Sequence, residues 1–271
     1  MEYLISTIAD VICEEADGDW EKLTYTDRTA PLAQEYGLGL ELAEFCITDN
    51  MENSFGTVLP HVEACARAVE RKVLHAPYNE LFPMAIDPKI VQVAYDRYDM
   101  TMDYCVRFGA DKMIVHANYN EESYYPQWTI NRQAEFWSRF LSEHPQNVTV
   151  CLENVMELDP EVILSIIKKV DDPRLKMCLD VGHANLTPLA PIDWLRACAP
   201  QISHYHLHNN DGPPAQGRRS WGDRHAALDK GNIDMLTLLR TAEELTPDAT
   251  AAIESYDPES SAAWLREKGF I

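Results

Sequence analysis

Short apolar segments recur eight times along the chain, each followed by a longer stretch with helical spacing, and this alternation limits the fold more than any other feature. Strands are expected near residues 4–8, 39–45, 72–75, 112–116, 148–153, 175–180, 202–206 and 249–254. Helices are expected between them, among them 57–71, 87–108, 129–143, 159–170, 234–245 and 259–268. Asp87-Pro88 and Asp159-Pro160 each set an N-cap before a proline at the first helical position, and Gly109 and Gly269 suit helix stops. Alternating strands and helices build parallel sheets, and eight such units in 271 residues predict one (β/α)8 barrel over residues 1–271. Nothing resembling a linker or a low-complexity segment divides the chain.

Composition removes several alternatives. Hydrophobic residues make up 46% and charged residues 25%, the balance of a folded globular chain. No apolar run approaches the roughly 20 residues of a membrane span, and the opening Met1–Thr7 lacks a basic n-region, so neither membrane insertion nor a secretory signal is expected. Seven cysteines (13, 46, 65, 105, 151, 178 and 198) without a CxxC pair suit a reducing cytoplasm. Lys+Arg 23 against Asp+Glu 44 gives a net charge of −21, which opposes nucleic acid held through its phosphates. Residues 1–60 carry thirteen acids against Lys22 and Arg28, and these acids are expected on a solvated surface.

The strand ends carry the chemistry. The third to eighth expected strands end in His75, His116, Glu153, Asp180, His206 and Glu254, with His183, Asp223 and His225 just beyond strand ends. In a barrel these ends converge on one mouth, the C-terminal face. Crowded carboxylates repel unless a cation neutralises them, which favours a divalent ion over a simple acid–base pair. Imidazole and carboxylate donors suit Zn, Mn, Fe or Co, one to three ions. His204, His206 and His208 share strand parity, so parity does not choose among them. Cys151 and Cys178, two before Glu153 and Asp180, are expected as small inward core residues, and His61 and His144 as hydrogen-bonded side chains on helices. Two long loops follow the fourth and seventh strands, residues 117–128 and 209–233, and are expected to cover a substrate.

The string Leu179-Asp180-Val181-Gly182-His183-Ala184-Asn185, the segment His206-Leu207-His208-Asn209, and Asp223-Arg224-His225 through Gly231-Asn232-Ile233-Asp234 resemble the xylose-isomerase-like barrel superfamily. That group includes sugar and sugar phosphate isomerases and epimerases and the endonuclease IV branch of abasic-site endonucleases. The resemblance runs from about His75 to Glu254 and implies four shared ligands, Glu153, Asp180, His206 and Glu254. It chooses His206 among the three histidines and leaves His208 as a neighbour of the ligands or a substrate contact. His75, His116, His183, Asp223 and His225 match the further ligands with which the endonuclease branch completes a three-zinc cluster. Departures from that branch are His206-Leu207-His208-Asn209-Asn210-Asp211 in place of His-x-Asn-Asp, Ala117-Asn118-Tyr119 in place of Pro-Gly after His116, and acidic early loops.

The resemblance and the charge together imply a metal-dependent isomerase or epimerase acting on a small carbohydrate, a sugar, sugar phosphate or related polyol. Glu153 and Glu254 would trade a proton through an enediolate. Tyr78, Asn118, Trp128 and His208 are expected against the substrate, with Tyr119, Tyr124 and Tyr125 helping to shut out water. A related dehydrating lyase uses the same proton abstraction. The alternatives are a zinc phosphodiesterase at abasic DNA, for which Arg218, Arg219, Arg224 and Lys230 form the only basic loop, and a non-catalytic metal-binding barrel.

Overall fold

Parallel strands linked by helices bury both faces of their sheet. The computed structural model, which describes residues 1–12 and 24–271, meets that demand by closing the sheet on itself. Strands β1 (Glu2–Ser6), β2 (Gly39–Leu42), β3 (Lys72–His75), β4 (Lys112–His116), β5 (Thr149–Glu153), β6 (Leu175–Asp180), β7 (Ile202–Leu207) and β8 (Thr250–Ile253) pair in chain order, and β8 returns to β1. Helices α1 (Thr29–Tyr36), α2 (Phe55–Ala68), α3 (Pro88–Phe108), α4 (Pro126–Glu143), α5 (Glu161–Val170), α6 (Pro191–Cys198), α7 (Met235–Leu245) and α8 (Pro258–Glu267) surround them. The architecture is the (β/α)8 barrel that the alternation predicts. No helix among the described residues is long and apolar enough to cross a membrane.

Local chemistry explains the boundaries. Asp87 accepts from the Lys89 amide and caps α3 ahead of Pro88, and Gly109 ends it in the left-handed conformation at φ 71°. The Asp159-Pro160 signal is displaced by one residue: α5 begins at Glu161, whose amide Asp159 accepts, and Pro160 takes the cap position. Two expected strands overran. β1 stops at Ser6 because Thr7–Asp10 tightens into a 3-10 turn, and β2 stops at Leu42 before the turn Glu44–Cys46. The early acids also need correction. Asp10, Glu41 and Glu44 are fully buried rather than solvated. Cys13 and the acids Glu14, Glu15, Asp17, Asp19 and Glu21 lie outside the described residues.

Two apolar regions hold the fold. The larger lies between sheet and helices, with Trp137, Trp194, Tyr98, Tyr205 and Phe140 fully buried in it. The smaller fills the barrel interior with Leu4, Val73, Ile114, Cys151, Cys178 and Ala252, so the two cysteines are the inward core residues expected. This inner layer is the floor on which the mouth is built.

Candidate metal centre and active site

Side chains on a strand return to the same face every second residue. Two residues above the inner layer, that face presents His75, His116, Glu153, Asp180 and Glu254 at the C-terminal mouth. Strand register sets the neighbours sideways, His116 beside Glu153 and Asp180 beside His206.

All nine expected ligands meet there. Glu153 is central: Oε2 lies 3.4 Å from His75 Nε2, 3.4 Å from His116 Nε2 and 3.3 Å from His206 Nδ1, and Oε1 lies 3.3 Å from His183 Nδ1. His206 Nδ1 is also 3.5 Å from Glu254 Oε2 and 3.8 Å from Asp180 Oδ2. Asp223 forms a second focus, its Oδ2 3.1 Å from His183 Nε2 and 3.4 Å from His225 Nε2. His225 reaches this place on a backbone at φ 42°, a strained conformation for a residue with a β-carbon.

Three histidines of equal parity are separated by height. His204 sits lowest, with Nε2 2.9 Å from Glu41 Oε2. His206 stands at the level of the carboxylates. His208 lies beyond the end of β7, its Nε2 3.0 Å from Asp180 Oδ1. The ring of His208 lies flat against the turn after β6, where a β-carbon on Gly182 would come within 2.0 Å of it. His183, His208, Asp223 and His225 each offer a donor atom within 4.8 Å of the others.

Buried polar atoms are normally hydrogen-bonded. Among the described residues, Glu153 Oε2, His206 Nδ1, His208 Nδ1 and Asp223 Oδ1 are buried without such a partner. They fall into two pairs, one in each focus, surrounded by imidazole and carboxylate donors. That pattern fits a divalent cation in each place.

Sequence reading missed the groups that hold these ligands. Glu41 accepts from His206 Nε2 at 3.1 Å and so turns Nδ1 toward Glu153. Asn154 clasps the Asp180 backbone, accepting its amide at 2.9 Å and donating to its carbonyl at 3.0 Å. The flanking Leu40 and Leu42 were the signal that Glu41 lies on a buried strand.

Charge is distributed unevenly. Burial works against the ionised form of Glu153, yet His116, His206 and His183 outweigh it and hold the carboxyl well below its ordinary range. Glu254 goes the other way: burial, opposed by His206 but reinforced by Glu41 and Glu153, pushes it up to about 7. Burial lowers His116 to about 3. It also opposes the charged His225 ring, but Asp223, Glu254 and Asp180 overcome it and lift that ring to about 9.

The mouth opens into a cavity of about 630 Å³. Its polar wall is His75, His116, Glu153, His183, Asp223, His225 and Glu254, and Ile8, Val11, Ile47 and Val155 supply apolar cover. Of the expected substrate contacts, Tyr78 alone lines it, stacked on His116 with centroids 4.3 Å apart. Asn118 instead donates to the Leu81 carbonyl at 2.7 Å, Trp128 on α4 donates to the Met84 carbonyl at 2.9 Å, and His208 is buried behind the wall. Tyr119 is drawn into the core by its amide bond to Glu157, and Tyr125 points to solvent. The second aromatic wall is Tyr256, which sequence reading did not single out.

A family model described as a xylose isomerase-like TIM barrel matches residues 32–268. An uncharacterized protein of Methanocaldococcus jannaschii is 24% identical over 207 residues, 68% of this chain, which spans 64% of that relative's length. A probable endonuclease 4 of Mycobacterium leprae is 22% identical over 255 residues, covering 90% of this chain and 97% of the relative. Among solved structures, a D-tagatose 3-epimerase-like protein aligns with a TM-score of 0.71 at 18% identity, over 99% of this chain and 97% of its own. A Thermus thermophilus protein soaked with zinc chloride aligns with a TM-score of 0.69 at 23% identity, over 100% and 98%.

Proposed function

The chain belongs to the xylose isomerase-like TIM barrel family, and from that premise we propose that it is a metal-dependent sugar isomerase or epimerase. The observation that carries the reading is the pair Glu153 and Glu254. Both line one small cavity, both lie within 3.5 Å of His206 Nδ1, and their environments push their proton affinities apart. Two carboxyls so divided suit a base and an acid.

A divalent ion held by Glu153, Asp180, His206 and Glu254 would polarise the adjacent oxygens of an α-hydroxy carbonyl. The chain's own groups do the rest. Glu153, kept ionised, takes the proton from the carbon beside the carbonyl. Glu254, on the other side of the bound substrate, returns one to the enediolate. Tyr78 and Tyr256 flank the opening, and the apolar wall of Ile8, Val11 and Ile47 limits water at the reacting carbon. A cavity of this size suits a single small carbohydrate. We take residues 1–271 as one barrel domain, and the six described cysteines, all free and buried, support work in a reducing compartment such as the cytoplasm.

Metal-loaded protein incubated with a panel of ketoses in deuterated water is expected to put deuterium on the carbon next to the carbonyl. Glu254→Gln should keep the fold and lose conversion of the ketose to its isomer or epimer by about 10²-fold or more, while Glu153 still exchanges the proton it removes. Full conversion by that variant would remove the assignment.

A second reading has its own support. His75, His116, His183, Asp223 and His225 exceed what a one-ion site needs, and they suit several zinc ions acting on a phosphodiester at abasic DNA. Against it, Arg224 is paired with Asp211, Lys230 with Asp229, and Arg219 donates to the Val155 carbonyl. That leaves Arg218 as the one exposed cation of that loop without such a partner among the described residues, little to grip a duplex. Salt-sensitive nicking of an abasic-site duplex would reverse the order of the two readings.

A further inference from the structure

Away from the mouth, the turn after β2 and the helix α2 bring a second set of donors together. His61 and Cys65 stand one helical turn apart on the same face of α2. His61 Nε2 lies 3.7 Å from Cys65 Sγ and 3.1 Å from Glu44 Oε1. One ring nitrogen therefore faces both a thiol and a carboxylate, although it carries at most one proton. Glu44 is fully buried; the His61 ring is the ionic contact of Oε1, and neither carboxylate oxygen makes a well-aligned hydrogen bond among the described residues. Such a group is costly to bury unless something neutralises it. An Asp10 oxygen lies within 4.8 Å of the His61 and Cys65 donors, although the Asp10 carboxylate also caps α1 through the Arg28 and Thr29 amides.

The spacing has a simple meaning. With metal–sulfur bonds of about 2.3 Å and metal–nitrogen or metal–oxygen bonds of about 2.0–2.2 Å, tetrahedral neighbours sit roughly 3.3–3.7 Å apart. The Nε2–Sγ distance sits at the upper end of that range, and the Nε2–Oε1 distance falls just short of it, so that binding an ion asks Glu44 to draw back by a few tenths of an ångström. The opposite nitrogen, Nδ1, is 3.2 Å from Asp27 Oδ1, the carboxylate–histidine arrangement that commonly orients a ligating imidazole.

We propose that Glu44, His61 and Cys65, with Asp10 in reach as a fourth donor, form a second divalent-metal site, thiolate-containing and suited to zinc. With Asp10 as a fourth protein ligand the ion would have no open position for a substrate, so its work is structural. It ties the turn after β2 to α2 at the edge of the barrel mouth. The site is independent of the mouth's own chemistry and stands whether or not the carbohydrate reading does.

Cobalt(II) is the probe, because thiolate ligation adds a near-ultraviolet charge-transfer band that nitrogen and oxygen donors do not give. The full chain, stripped with chelator and titrated with cobalt, should develop that band together with visible bands from the mouth. Cys65→Ser should lose the near-ultraviolet band and about one equivalent of bound metal per chain while keeping the visible bands, with circular dichroism confirming the fold. Glu44→Gln should weaken the same band. No charge-transfer band at saturating cobalt would overturn the site. So would a band that survives Cys65→Ser, since its thiolate would then come from another cysteine.

Discussion

An imidazole that offers one nitrogen to an ion needs a partner on the other, and for His206 that partner is Glu41. Glu41 accepts from both His204 and His206, and these rings overcome the burial penalty to hold its carboxyl well below the ordinary range. Glu41→Gln keeps the shape but lets the His206 ring settle with either nitrogen forward. Metal affinity at the mouth should fall by about 10–100-fold, read by competition against a chelator of known affinity. Unchanged affinity would mean that packing alone orients His206. Glu41 also marks the limit of sequence reading at this scale. It was one acid among thirteen in an acidic segment, and charge counting gives all of them one address. The nine candidate ligands were legible as a group because strand ends converge, with the family resemblance choosing His206 among its neighbours of equal parity. Glu41 lies within its strand, where only the flanking leucines betray that it faces inward.

At the scale of elements, the strands β3, β4 and β6 have the bounds the sequence predicted, because short apolar runs closed by a polar ligand leave little freedom. Loops were read less well. Length and aromatic content say that a loop does something, but not which way its rings point, so Trp128 was given to a substrate when it belongs to the first turn of α4. The lower end of the barrel was not read at all. There Lys112, inward on β4, donates its ammonium to the Ser203 carbonyl and to Thr250 Oγ1. Burial holds this lysine below its ordinary value of 10.5. Between the lowered folded value and 10.5 the unfolded chain keeps a proton that the folded chain has released, so stability should rise with pH across that window. Urea midpoints of the wild type and Lys112→Met measured from neutral pH upward should diverge in the wild type's favour and run parallel above 10.5. A constant difference would show that Lys112 is as easily charged inside the barrel as outside.

At the scale of the whole molecule, 44 acids against 23 lysines and arginines set the long-range field. Part of the cationic charge is spent locally, as in Arg28 with Glu259, Arg97 with Glu52 and Arg71 with Asp111. Pairs this exposed each contribute little, about 0–1 kcal/mol. The surplus acids repel one another across the surface, and that repulsion is relieved when the chain expands. Screening shortens from about 10 Å at 0.1 M salt to about 3 Å at 1 M, so salt removes distant repulsion before it breaks contact pairs. The thermal unfolding midpoint should therefore rise between about 0.1 and 1 M sodium chloride. The measurement belongs at saturating metal, since an ion bound only by the folded state adds its own stabilisation. A midpoint that falls with salt would give the balance to the ion pairs, and the acidic surface would then be neutral to the fold. A rising midpoint would show that the surplus charge is a net cost to the folded barrel, which screening relieves.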